Sequence, residues 1–157
     1  MATYNDLNNL SSDSDIATAL GDMVVAWANA ETTLMHAMCS ICNMSTNMAH
    51  FGYYRIPTFE ARVKFLLAMI PEWDTSSDRD AISKAIEKIS GMSGTRNNWV
   101  HGIWSKEKTT GQVVVFNFRA AENKGRNKPV KAHDINHHVE TLIANTKALR
   151  KLLPPLP

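Results

Sequence analysis

The sequence predicts a mainly α-helical bundle of four to five helices with one small inserted β-hairpin, and three patterns predict it. Apolar residues recur at three- and four-residue steps along several long stretches. Ser, Thr and Asp stand where helix starts need capping oxygens. β-branched and aromatic residues gather in one segment only, on both sides of a Thr109-Thr110-Gly111 turn. The 157 residues are enough for one ordinary domain, expected to span 1–157. Hydrophobic residues make up 44% and charged residues 20%, a balance that excludes a disordered tail or a collagen-like repeat. No apolar run approaches the ~18 to 20 residues needed to cross a bilayer, and the polar start MATYNDLNNLSSDSD lacks the form of a secretory signal. Two cysteines, Cys39 and Cys42, are too few for a disulfide framework, so a reduced, cytoplasmic setting is expected.

The first helix is expected from about Asp15 to Met44, with Ile16, Leu20, Met23, Val24, Trp27, Leu34, Met38 and Ile41 at helical spacing and Ser14 or Asp15 as its cap. From Ser45 to Pro57 the period is lost, so this segment reads as a connection whose Phe51, Tyr53 and Tyr54 fold back on the core. Thr58 caps a second helix, Phe59 to Met69, closed by Pro71. A third is expected from about Asp78 to His101, followed by a hairpin within GIWSKEKTTGQVVVFNF. Glu122 to Lys131, polar and holding Gly125 and Pro129, reads as a loop. A last helix runs from about His133 to Leu153, where LLPPLP stops it.

The third helix carries the chemistry. At 100° per residue Ile82, Ile86, Ile89, Ser93, Val100 and Ile103 share one side, which is expected to be buried. Arg96 lies on one shoulder of that stripe, and Asn97 and His101 lie on the other. Polar groups withdrawn from water cost roughly 1 to 3 kcal/mol each when unpaired, so the three call for a ligand, a subunit or an internal network. Asn97 and His101 are one turn apart, and a second copy related by a two-fold axis is the favoured way to gather such groups into one cleft. Gly91, Ser93 and Gly94 thin the helix surface and suit a close helix contact.

Arg96-Asn97-Asn98-Trp99-Val100-His101 has the form R-N-x-x-x-H and resembles the signature of the HEPN superfamily of helical ribonucleases and nucleotide-associated proteins. The resemblance implies metal-independent RNA cleavage with no cofactor, in which a ribose 2′-OH attacks the adjacent phosphodiester and leaves a cyclic phosphate. His101 would move protons, Arg96 would stabilise charge on phosphorus oxygens, and Asn97 would orient the imidazole or the phosphate. It also implies a toxin or defence role, for which a neutralising antitoxin is the expected partner, and the two-fold arrangement argued above makes a homodimer the expected assembly. The rival from a different class is a non-catalytic helical interaction or nucleotide-binding module in which these residues form a structural network.

Around that motif, Glu31 on the first helix is a candidate supporting partner for Arg96 or His101. Arg119, Lys124, Arg126, Lys128 and Lys131 outnumber Glu122 between positions 119 and 131, either holding an RNA backbone or forming a solvated loop. Trp99 and Trp104 either pack in the bundle or stack on unpaired bases. His36, Cys39 and Cys42 repeat every third residue and so spread around a helix; His133, His137 and His138 lack a further ligand. Neither set is expected to hold a metal.

Overall fold

The computed structural model describes residues 3–75, 77–117 and 129–156. Its elements in chain order are β1 (Tyr4–Asp6), α1 (Ser14–Ile41), α2 (Thr46–Arg55), α3 (Phe59–Met69), a 3₁₀ turn (Ile70–Glu72), α4 (Arg79–Gly91), α5 (Ser93–His101), β2 (Ile103–Glu107), β3 (Val113–Phe116) and α6 (Ala132–Leu152). This is a mainly α fold with a small antiparallel sheet, as the sequence pattern predicts. The chain groups into two compact units, residues 1–24 with 92–140 and residues 25–91 with 141–157.

The first unit is built on the sheet, ordered β1-β2-β3. The expected hairpin forms in the register Ile103 opposite Phe116 and Lys106 opposite Val113. Gly111 takes φ +69° in the turn, a left-handed backbone that glycine adopts without steric cost. β1 is an addition to the sequence reading: Tyr4 pairs with Glu107 and Asp6 with Ser105. The buried Ser105 hydroxyl donates to Asp6 Oδ1 at 2.8 Å, giving that polar group the partner burial demands. Lys106 Nζ holds Asp13 Oδ1 at 3.0 Å, and this hydrogen bond is the main reason the Asp13 carboxyl lies below its ordinary range. On the far side of β3, Val130 N donates to Val113 O at 2.9 Å. The adjoining start of α6 is tied by Asp134, whose carboxylate accepts from the Lys131 N–H at 3.0 Å.

The second unit holds a packed apolar core. Leu34, Leu66, Ile82, Ile86, Ile89, Leu142 and Leu149 are all fully buried. α3 has the predicted bounds, with Thr58 Oγ1 accepting from Ala61 N at 3.1 Å. Asp78 caps α4 by accepting from Ala81 N at 2.9 Å. Ser45 to Pro57 is not an aperiodic connection: Ser45 Oγ accepts from Met48 N and starts the ten-residue α2. Tyr53 is buried as expected of an inward-folding aromatic, whereas Phe51 and Tyr54 are exposed. The buried stripe of α2 is only Ala49 and Tyr53, too narrow for a periodicity reading to detect.

Two boundaries also shift. α1 ends at Ile41, three residues before Met44. The long third helix is two helices, α4 and α5, separated at Met92. Gly91, Ser93 and Gly94 around that point have weak helix propensity, and at Gly91 and Gly94 an added Cβ would meet nothing within 4 Å. No helix of the described residues is long and apolar enough to cross a membrane.

Candidate functional site

α5 presents the motif. The helix begins at Ser93 with no side-chain cap and ends where the Gly102 N–H donates to Asn98 O at 3.0 Å. None of its residues is buried. Arg96 is half-buried, while Asn97 and His101 are exposed. Arg96 Nη1 donates to Asn97 Oδ1 at 2.9 Å, so the guanidinium and the amide form one unit, with the fork's outer nitrogen and the Asn97 amide nitrogen aimed by the same bond. His101 sits in the last turn, one turn on from Asn97.

The stripe expected to be buried divides. Ile82, Ile86 and Ile89 on α4 are completely covered, whereas Val100 is 40% exposed and Ile103, just past α5, is 46% exposed. The polar groups therefore stand beside apolar side chains that remain in solvent within one chain. That corrects the expectation of a buried face throughout and leaves the imidazole accessible.

Contacts within the first unit hold α5 against the sheet and α6. Trp104 Nε1 donates to Trp99 O at 2.9 Å, and the Trp99 ring meets His138 edge-on, centroids 5.2 Å apart. Both tryptophans are half-buried, so packing accounts for much of their surface. Asn117 Nδ2 donates to Asn98 Oδ1, joining α5 to the residue after β3. At Gly102 a side chain has no room: a Cβ would lie 2.5 Å from Asn98 O and closer still to Val115 Cγ1. Of these supports, Asn98, Gly102 and Asn117 have no role in the sequence reading, and His138 enters it only beside His133 and His137 as a rejected metal set. Only the glycine following His101 offered a local signal, because the others act through partners distant along the chain.

The remaining sequence candidates fall elsewhere. Glu31 Oε1 pairs with Arg62 Nη1 at 2.7 Å in the second unit. The Glu31 carboxylate is thereby engaged by Arg62 in a part-buried ion pair, where support for Arg96 or His101 was expected. Lys131 is exposed at the start of α6. Arg119, Lys124, Arg126 and Lys128 lie outside the described residues. Cys39 is buried and its Sγ donates to Met44 O at 2.8 Å; burial raises the Cys42 thiol above its ordinary value. His36 is lowered by burial first and by the Arg150 charge second. Among the described residues no group of three or more His, Cys, Asp or Glu side chains is placed to hold a metal ion. A hollow of about 320 Å³ is lined by Ser12, Asp13, Ser14, Asp15, Ile16 and Ala132, none of them a motif residue. No family model, curated protein or solved structure matches the chain.

Proposed function

We propose that the chain is a metal-independent, HEPN-like endoribonuclease whose reacting groups are Arg96, Asn97 and His101. The observation that carries this reading is an imidazole in solvent one turn from an Arg96–Asn97 pair joined at 2.9 Å, on a helix that buries none of its residues. In the proposed reaction the His101 imidazole takes the proton of a ribose 2′-OH as that oxygen bonds to the adjacent phosphorus. The bond from phosphorus to the 5′-oxygen breaks, and the leaving oxygen takes a proton from an imidazolium. The products are a 2′,3′-cyclic phosphate and a 5′-OH. Arg96 stabilises the charge that grows on the non-bridging oxygens, since a planar guanidinium meets two phosphate oxygens at once and stays charged throughout. A second copy supplies the second imidazole, and exposed Val100 and Ile103 beside His101 are the apolar surface such a copy would cover. The biological role that goes with this chemistry is RNA damage as a toxin or defence effector restrained by an antitoxin, in the cytoplasm.

The test is incubation of the purified protein with labelled RNA in EDTA. Cleavage is expected with cyclic-phosphate ends, reduced about 10²- to 10⁴-fold in His101→Ala. Arg96→Ala is expected to lose about 10²- to 10³-fold. Both variants should keep their helicity. Cleavage abolished by EDTA would transfer the reaction to metal chemistry. A different reading, a non-catalytic module, draws on the same Arg96–Asn97 hydrogen bond, because it satisfies part of the motif internally. Absence of cleavage on both structured and single-stranded RNA would select it.

A further inference from the structure

α2 holds a row of rings in solvent. One side of the helix is seated: Ala49 and Tyr53 are buried, and at Gly52 a Cβ would come within 3.1 Å of Met38 Cε. On the other side Met48 is 62%, Phe51 68% and Tyr54 44% exposed. Phe51 and Tyr54 are three residues apart and so lie on one face, one above the other. The exposed His50 ring lies 5.8 Å from that of Phe51 and 5.0 Å from that of Tyr54. Tyr54 also meets Tyr53 edge-on at 5.2 Å, and the Arg62 guanidinium lies 5.0 Å from the Tyr53 ring and 5.2 Å from the Tyr54 ring. Arg62 is itself fixed by Glu31 and by donating from Nε to Ile56 O at 3.0 Å. The Tyr54 ring is therefore held by Tyr53 and Arg62 before anything binds, which removes part of the entropic cost of binding.

We infer that this face of α2 stacks unpaired bases of an RNA strand, with Arg55 contacting the phosphate backbone. The choice of RNA rests on the ribonuclease reading; the choice of a stacking ligand rests on three features of the helix. Its exposed face carries the Phe51 and Tyr54 rings beside the His50 imidazole, and every base offers a π-face, each stacked base being worth about tenfold or more in affinity. Thr46 to Arg55 holds no carboxylate, and both His50 and Arg55 are exposed, so the charge suits a polyanion. The patch is also small. Three side chains on a helix about 15 Å long fall well short of the ~800 Å² per partner of a stable protein interface, yet they match the size of two nucleotides.

The experiment measures fluorescence anisotropy of a labelled ten-nucleotide oligoadenylate bound to the His101→Ala protein, in which RNA is not consumed. Phe51→Ala with Tyr54→Ala is expected to weaken binding at least tenfold, with circular dichroism unchanged, while Phe51→Trp retains it and Met48→Ala changes it little. An oligomer abasic at its central positions should bind the parent protein as weakly as the intact oligomer binds the double variant, and the double variant should lose nothing further. Equal affinity for intact and abasic oligomers, or affinity indifferent to both rings, overturns the inference. So does a change of oligomeric state in Phe51→Ser without a change in RNA affinity, which would make the face a protein contact. Ring-dependent binding by a protein that cleaves no RNA would leave this inference standing and remove the catalytic one; cleavage with ring-independent binding would do the reverse.

Discussion

α4 and α5 follow one another with a single residue between them, yet they use apolar side chains in opposite ways. α4 buries Ile82, Ala85, Ile86 and Ile89, a stripe at i, i+3, i+4 and i+7 that meets the core of the second unit. α5 buries none of its residues and keeps Val100 in solvent beside Asn97 and His101. A helical period identifies which face is suited to burial. It does not say whether the same chain supplies the cover. The isoleucines of α4 find full cover within the protomer; Val100 and Ile103 find only part of theirs, and this is the difference between a helix that stabilises the fold and one left available for a ligand or a second copy.

The sharpest way to break that comparison is to truncate one apolar side chain on each helix. Ile86→Ala removes atoms from a fully buried position and is expected to cost about 2 to 5 kcal/mol in urea unfolding, through lost burial and the cavity left behind. Val100→Ala, from a partly solvated position, is expected to stay within about 0.5 kcal/mol for the isolated protomer. Equal costs for the two would show that α5 is packed as α4 is, and would withdraw the accessible imidazole on which the proposed chemistry depends.

Glycines sharpen the same contrast at the two ends of α5. Gly94 has open space around it, so Gly94→Ala gains helix propensity and is expected to stabilise the protomer by up to ~1 kcal/mol. Gly102→Ala drives a methyl group into Val115 and the Asn98 carbonyl, with an expected loss of about 1 to 3 kcal/mol and looser docking of α5 on the hairpin. The sign difference, read by thermal unfolding, checks that α5 is anchored at its C-terminal end and open at its start.

The legibility of these features in the sequence follows from how local their causes are. α3 was readable to the residue because Thr58 and Pro71 bracket an apolar stripe, and the hairpin was readable because its turn and both strands lie within fifteen residues. β1 was not, since Tyr-Asn-Asp carries no alternation and becomes a strand only by pairing with Ser105 to Glu107, about a hundred residues away. α2 was missed because two buried residues are too few to mark a period, and because Gly52 and neighbouring aromatics weaken the helical signal. For the site, Arg96, Asn97 and His101 stood out as polar groups on an apolar register. The break at Met92 and the exposure of Val100 were hidden, because they depend on which surfaces the rest of the chain fails to reach.

The supports behind α5 give the comparison a dependence on pH. Burial, and next the charge of His137, pull the His138 imidazole below its ordinary value of 6.5, while its ring edge rests against Trp99. The native state therefore keeps His138 neutral at pH values where the unfolded chain has already taken up a proton. Its contribution to stability is present in full above 6.5 and is lost as pH falls from there through the depressed native value. His36 in the second unit is lowered for the same first reason and adds a loss of the same sign. Asp13 acts in a separate window: its carboxyl lies below 3.8, so its contribution persists through mild acid and disappears only as pH falls below that value. In urea unfolding between pH 7.5 and 5, His138→Gln is expected to flatten the decline by less than one proton's slope, ~1.4 kcal/mol per pH unit, and His36→Gln to remove the remainder. Because His138 touches α5, only the first variant should also abolish the acid-induced change in Trp99 fluorescence. If both variants changed that fluorescence alike, the acid response would belong to global unfolding, and the local contact between α5 and α6 would have no separate titration.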